Sequence, residues 1–544
     1  MQEGKCGEGG LLRLLMQPGV LPDSAGGVSL IETHISWVLL AGDHAWKLKK
    51  PLDLGFLDFS TLERRREACE AELRLNRRTV PELYEAMVPV WRTAAGVCVG
   101  DRPVDAAAPG ATQLDYLVRM RRFDQSALFD ARLADGKLEP ALFDRLARHV
   151  AAFHADAAVA RPGDGFGDAV AVMAPVRQNF AQIRERVSDA ALLAELAHIE
   201  AWVEARFAAL APVFDARLAA GRVRECHGDL HLGNLVVLDG EPRLFDAIEF
   251  SAELRWTDVV ADVAFLVMDL QARGRAALGW RFLNAWLERC GDYAGLRVLP
   301  YYLSYRAMVR AKIAAIRASQ LDGAARSESV DECRRYLALA EAQRAPGAPA
   351  LLVACGVAGA GKTSQSQALV EAGGVIRVRA DVERKRLAGL AAEATSGSGL
   401  GGGLYTPEAT ARTYARLAVL ARVVLEAGRP VLVDATFLKR AQRAAFAGLA
   451  QELGVPFAIL AFDAPEDVLR ARVRARLAAG GDASEADEAV LEAQLRSREG
   501  FAAEELARVL PIDTRSVPDW RSLLPALSRL WPGAPRMDSR PSTH

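Results

Sequence analysis

At 544 residues, 51% hydrophobic and 25% charged, the chain is too long for one hydrophobic core and has the balance of an ordered globular protein. About three or four folding units are expected, one of them a lobe. Sixty-eight basic against 69 acidic residues leave a net charge of −1, which excludes an overall field that recruits nucleic acid or an anionic membrane.

Seven scattered cysteines, odd in number and never spaced as CxxC, argue against a disulfide framework or structural zinc site and fit a reducing cytoplasm. The opening MQEGKCGEGG lacks the basic head and apolar core of an export signal, and residues 1–27 read as an N-terminal extension. A strand-rich segment, 28–125, follows. Its runs at 28–31, 37–40 and 45–49 are short and apolar or alternating, with Gly42-Asp43 as a turn between the last two. The spacing predicts a helix over 61–78, opened by Ser60 with Glu63 three residues on, as in a capping box.

Residues 126–343 are mostly helical in pattern, with turn and strand signals at 227–250. Their most apolar stretch, 259–270, is broken by Asp262 and Asp269, so no membrane span is expected. RAPGAP at 344–349 marks a linker. Over 350–533, strands at 351–355, 375–378, 431–433, 457–462 and 510–512 alternate with amphipathic stretches. That alternation predicts an α/β domain with a parallel sheet covered by helices on both faces. SGSGLGGG at 396–403 reads as a loop and 534–544 as a flexible tail.

Two constellations carry chemistry. Residues 227–234 read HGDLHLGN, and Asp246 closes the run Arg243-Leu244-Phe245. Phosphoryl transfer uses these groups: a carboxylate such as Asp229 orients the attacking hydroxyl and takes its proton, while the Asn234 amide oxygen and Asp246 hold magnesium against the phosphates. HGDLHLGN followed by LFDAIEF resembles the aminoglycoside phosphotransferase family, relatives of protein kinases that phosphorylate hydroxyls of small molecules. The resemblance implies an α+β kinase-like two-lobed domain, with an N-lobe at 28–125 and a helical C-lobe at 126–343.

Carried over, Asp229 is the catalytic aspartate, Asn234 and Asp246 are the metal ligands, and His227 braces the loop, with His231 and Glu249 as weaker candidates. Lys47 matches the family's strand lysine for the ATP phosphates, and Lys49 shares its strand face. Its acidic partner on the next helix is Glu72, with Glu70 the runner-up, and a solvated charged face is the competing reading. No GxGxxG precedes Lys47; Thr33 and Ser36 hydroxyls could donate to phosphate from the turn 32–36, against a plain strand-edge reading. The resemblance places an adenine hinge near 118–123. His149 and His154 read as packing or surface residues, and Asp258 and Asp262 as structural acids.

The second constellation is Gly356-Val357-Ala358-Gly359-Ala360-Gly361-Lys362-Thr363, which fits GxxxxGK[ST] between a strand and an amphipathic stretch. Gly356, Gly359 and Gly361 let backbone amides converge on phosphates, Lys362 neutralises their oxygens and Thr363 offers a hydroxyl to magnesium. Asp381 follows the second strand, where it can hold or deprotonate an acceptor hydroxyl, or simply start a helix; Arg384 can grip an anionic group. Asp434 ends another strand, the place for an acid that contacts magnesium through one of its other ligands. Arg472 and Arg476 read either as lid arginines or as a surface stripe.

YTPEATARTYARL resembles AAA-type small-kinase domains of the gluconate-kinase-like kind, which implies that its tyrosines and Arg412 line a substrate pocket. With ETHISWVLL, KKPLDLGFLDFSTLERR and YRAMVRAK, nearly the whole chain resembles a bacterial family of bifunctional aminoglycoside phosphotransferase/ATP-binding proteins.

The combined expectation is a cytoplasmic phosphotransferase with two ATP and Mg2+ sites, each moving a γ-phosphoryl group to a hydroxyl of a small molecule. A sensor in which one site only binds ATP is the alternative from another class. A polynucleotide 5′-kinase acting through Asp381 and Arg384 is a third, weakened by the near-neutral charge.

Overall fold

The structure, a computed structural model, describes residues 8–53, 55, 57–100, 111–345, 347–398, 402–480 and 483–534. Most of the tail at 534–544, the start of the N-terminal extension, Pro346 of the linker and Gly399–Gly401 of the glycine loop lie outside these residues. The chain divides into two compact units where length suggests three or four. One joins Met1–Arg177 to Leu210–Leu266, the other Gln178–Ala209 to Val267–His544.

In the first unit, β1 (Ser29–Glu32), β2 (Ser36–Ala41), β3 (His44–Lys49), β4 (Tyr84–Thr93), β5 (Gly96–Val99) and β6 (Thr112–Arg121) form an antiparallel sheet in the order β1-β2-β3-β6-β4-β5. Alternation along β3 decides what each face does. Trp46 and Leu48 join a core with Leu15, Leu39, Val90 and Leu117. Lys47 and Lys49, on the opposite face, reach the helix Leu62–Asn76. That helix is capped by Thr61, whose hydroxyl accepts from the Arg64 amide, rather than by Ser60, whose hydroxyl donates to Asp58 at 2.6 Å. Two short antiparallel pairs follow: β7 (Val223–Glu225) with β10 (Trp256–Asp258), and β8 (Leu235–Leu238) with β9 (Glu241–Leu244).

In the second unit, β11 (Leu351–Cys355), β12 (Ile376–Arg379), β13 (Val431–Asp434), β14 (Phe457–Asp463) and β15 (Val509–Asp513) form an all-parallel sheet in the order β12-β13-β11-β14-β15. Every residue of β11 is buried, as a central strand covered on both faces requires. Its core also takes Leu369, Val473, Leu491 and Leu527 from the covering helices. The register sets Ala354 beside Asp434, so Asp434 ends one strand away from the start of the glycine loop. Ligands of open parallel sheets bind at this kind of carboxyl-end crevice. No helix among the described residues is long and apolar enough to cross a membrane.

Candidate functional site

The first unit gathers a buried row of alternating charges. Lys47 Nζ donates to Glu72 Oε1 at 2.7 Å and to Asp246 Oδ1 at 2.5 Å, and Lys49 donates to Glu72 Oε2 and to Glu249. Burial disfavours the charged form of Lys47, but Asp246 and Glu72 outweigh it and raise its pKa well above the lysine range. Burial likewise opposes ionisation of Glu72, yet Lys47 and Lys49 hold its carboxyl at about 2. The runner-up Glu70 lies outside this network and pairs with Arg66.

Asp246 stands two residues past the end of β9 in a left-handed conformation, φ 61°. Its amide donates to the Tyr84 hydroxyl at 3.1 Å, and Asn76 Oδ1 accepts from the next amide, Ala247, at 2.9 Å. Asn76 also donates to the Glu72 carbonyl, tying the lysine's partner to the Asp246 turn. Sequence reasoning does not single out Asn76; a buried Asn one turn after the paired acid is the available signal.

Asn234 Nδ2 donates to both the carbonyl and Oδ2 of Asp229, each at 3.0 Å. That orientation turns the amide oxygen, the donor type that magnesium takes, away from Asp229. His231 Nε2 lies 3.3 Å from Asp229 Oδ2. Two backbone bonds seat the Asp246 segment beside this loop: Phe245 N to Asn234 O at 3.1 Å and Ile248 N to His227 O at 3.0 Å. His227 Nε2 donates to Phe245 O at 2.9 Å, and burial lowers the ring's pKa despite nearby Asp262 and Asp229. Asp262 accepts the amides of Gly228 at 2.9 Å and His227 at 3.2 Å, with His154 Nε2 at 3.1 Å from the same carboxylate.

Asp258 pairs with Arg217, His149 meets the Pro242 carbonyl, and Thr33 donates to the Ser36 carbonyl inside the β1–β2 turn.

In the second unit, Lys362, Thr363, Asp381, Arg384, Asp434, Arg472 and Arg476 line one cleft of about 750 Å³. Gly359 has φ 78°, and a Cβ there would lie 2.6 Å from the Leu469 carbonyl. Only glycine fits this turn. Lys362 Nζ donates to the carbonyls of Gly356 at 2.9 Å and Val357 at 3.0 Å; burial lowers its pKa against the pull of Asp434 and Asp381. Thr363 Oγ1 donates to Asp434 Oδ2 at 2.5 Å, so hydroxyl and carboxylate present adjacent oxygens of the kind magnesium takes.

Asp381 lies in the first turn of the helix Ala380–Leu387, one turn before Arg384. Arg384 donates to the Leu404 carbonyl at 2.7 Å with its guanidinium 4.9 Å above the Tyr405 ring. Arg472 is held by Thr514 and Arg476 by the Ala486 carbonyl, both at the cleft wall. Tyr414 reaches the strand-end loop through Thr436 and the Phe437 amide.

Residues 56–299 match the phosphotransferase enzyme family and residues 351–501 match an AAA domain. The uncharacterized proteins Rv2004c of Mycobacterium tuberculosis and Mb2027c of Mycobacterium bovis are each 30% identical over 458 residues, covering 84% of this chain and 88% of theirs. Among solved structures, a gluconokinase from Sinorhizobium meliloti is 24% identical, covering 34% of this chain and 95% of its own, with a TM-score of 0.25. The GDP complex of aminoglycoside 2′-phosphotransferase-IIIa is 14% identical, covering 61% and 99%, with a TM-score of 0.36. With both motifs in place and the mycobacterial relatives matched along most of their length, the chain belongs to the bifunctional aminoglycoside phosphotransferase/ATP-binding protein family and is an ATP-dependent phosphotransferase.

Proposed function

We propose that the protein carries two phosphotransfer sites, each moving the γ-phosphoryl group of ATP to a hydroxyl of a small molecule. The observation that carries this reading is repetition: each compact unit brings together a lysine held by hydrogen bonds, oxygen donors of the magnesium-binding type and a further acid beside them. The family matches at 56–299 and 351–501 support a division into a kinase-like domain at 28–343 and a P-loop kinase domain at 350–533.

In the first site, Asp229 accepts a hydrogen bond from the acceptor hydroxyl and takes its proton as the oxygen attacks. Lys47, fixed by Glu72, pairs with the phosphates. Asn234 and Asp246 would hold magnesium, which when bound would neutralise phosphate charge. In the second site, the amides of the glycine loop and Lys362 bind phosphate, Thr363 and Asp434 offer the metal ligands, and Asp381 holds the acceptor hydroxyl and receives its proton. Arg384 pairs with an anionic group of the acceptor, and Arg472 and Arg476 neutralise charge on the transferring group.

The test is transfer from labelled ATP to a panel of small hydroxyl compounds by the full chain. Asp229→Asn should abolish one set of products and Lys362→Ala the other. Unchanged products in both variants would overturn the reading. Phosphate release without acceptor phosphorylation would favour a sensor, and labelling of a 5′-hydroxyl oligonucleotide a polynucleotide kinase.

A further inference from the structure

The helix Ala276–Cys290 lies inside the stretch matched by the phosphotransferase family, yet it belongs to the compact unit of the parallel sheet. It closes an edge of that sheet. β12 has β13 on one side only, and on the other Asn284 stands in for a neighbouring strand. Its Oδ1 accepts from the Arg377 amide at 2.7 Å, and its Nδ2 donates to the Val375 carbonyl at 3.2 Å.

One turn further on, Glu288 meets two arginines that alternate onto one face of β12: Arg377 Nε at 3.3 Å and Arg379 Nη1 at 3.6 Å. Arg377 is 9% exposed and Glu288 14%, so solvent screens this pairing little. Arg377 Nη1 in turn donates to the Thr363 carbonyl at 2.8 Å, and the Thr363 hydroxyl donates to Asp434. Arg379 lines the cleft beside Asp381 and Arg384.

We infer that Glu288 is a positioning residue of the P-loop site, holding Thr363 through Arg377 and the acceptor-side wall through Arg379. The inference rests on reading that cleft as a phosphotransfer site. The physical reason is the chain of charge. A buried guanidinium with a fixed carboxylate partner has one orientation, and its second nitrogen then fixes the carbonyl of the residue that presents a hydroxyl to magnesium. Without the carboxylate, Arg377 keeps its charge but loses what aims it.

The test uses the full chain carrying Lys47→Met, which removes the lysine of the first site, and a fluorescent N-methylanthraniloyl ATP titrated with and without magnesium. Glu288→Gln should weaken binding about tenfold with magnesium, the loss expected for one charge-assisted bond, and by less than about twofold without it. Arg377→Gln should give the same pattern, and the double variant no further loss, because both changes break one relay.

Equal losses with and without magnesium, or additive losses in the double variant, would overturn the assignment. If Glu288→Gln shows no cooperative unfolding, Arg377→Lys replaces it, since one ammonium cannot span Glu288 and the Thr363 carbonyl as the guanidinium does; the same magnesium-dependent loss is expected and its absence refutes the relay. Lys362→Ala separates the two ideas. If it leaves binding intact, the P-loop reading fails; if it abolishes binding while Glu288→Gln changes nothing, only the role of Glu288 fails.

Discussion

Glu72 Oε1 accepts from Lys47 at 2.7 Å while Oε2 of the same carboxylate accepts from Lys49, so a single fully buried acid faces two ammonium groups. Asp246 beyond Lys47 and Glu249 beyond Lys49 extend the row to five alternating charges. Removing the middle member leaves two buried cations side by side. Glu72→Ala should therefore destabilise the first unit by about 3–5 kcal/mol, the usual result of breaking a buried pair from one side. Urea unfolding at neutral pH measures it, and an unchanged midpoint would contradict the buried network.

The same residue sets an acid limit. Burial alone would raise the Glu72 pKa, but the two lysines outweigh it and hold the group at about 2, below its ordinary 4.5. A carboxyl depressed in the folded state contributes stability that is fully present above the unfolded value. That contribution is lost as pH falls from about 4.5 toward about 2, at up to about 1.4 kcal/mol per pH unit. The stability gap between the native chain and Glu72→Gln should thus be constant near neutrality and narrow across that acid interval. Thermal unfolding of the two proteins at descending pH reads it directly; a gap that widens in acid would contradict the sign.

What was legible in the sequence is what is local. The strings HGDLHLGN and GVAGAGKT each hold their candidate site residues within eight positions, and β11 at Leu351–Cys355 is a continuous apolar run, so each could be read without a fold. Few contacts across the chain were legible beyond the Lys47–Glu72 pair, which the family resemblance suggested. Asn284 and the Arg377 amide are 93 residues apart, and nothing in either neighbourhood announces the other. Strand β4 carries Glu85, Pro89 and Arg92, which blurs alternation; its identity comes from pairing with β5 and β6. The choice of Ser60 as helix cap failed for a similar reason. Ser60 and Thr61 offer the same hydroxyl, and it is the bond from Ser60 to Asp58 that leaves Thr61 to cap.

Gly359 offers a steric test of the glycine loop. An added Cβ would meet the Leu469 carbonyl at 2.6 Å and force a side chain into φ 78°. Gly454 has a comparable φ of 65° with nothing within 4 Å of the added atom. Gly454→Ala should cost only the conformational term, about 1–2 kcal/mol. Gly359→Ala should cost more and also weaken magnesium nucleotide binding at the second site. Equal effects of the two substitutions on stability and binding would contradict the close approach.

Asp262 holds the loop of the first site by its backbone. Its two oxygens accept the amides of Gly228 and His227, the residues immediately before Asp229, and neither bond touches a phosphate or an acceptor. Asp262→Asn keeps the volume but turns one acceptor into a donor, setting N–H against N–H in a buried place where a lost bond costs about 1–3 kcal/mol. The loop should shift rather than unfold, since the backbone bonds from Phe245 and Ile248 also hold it. A displacement of about an ångström at a catalytic carboxylate can lower turnover by about a hundredfold. The expected result is therefore a large fall in kcat for Asp229-dependent transfer with the KM for ATP little changed, and no change in Lys362-dependent transfer. A rise in KM for ATP with kcat intact would place Asp262 on nucleotide binding instead and refute its role as the anchor of the loop.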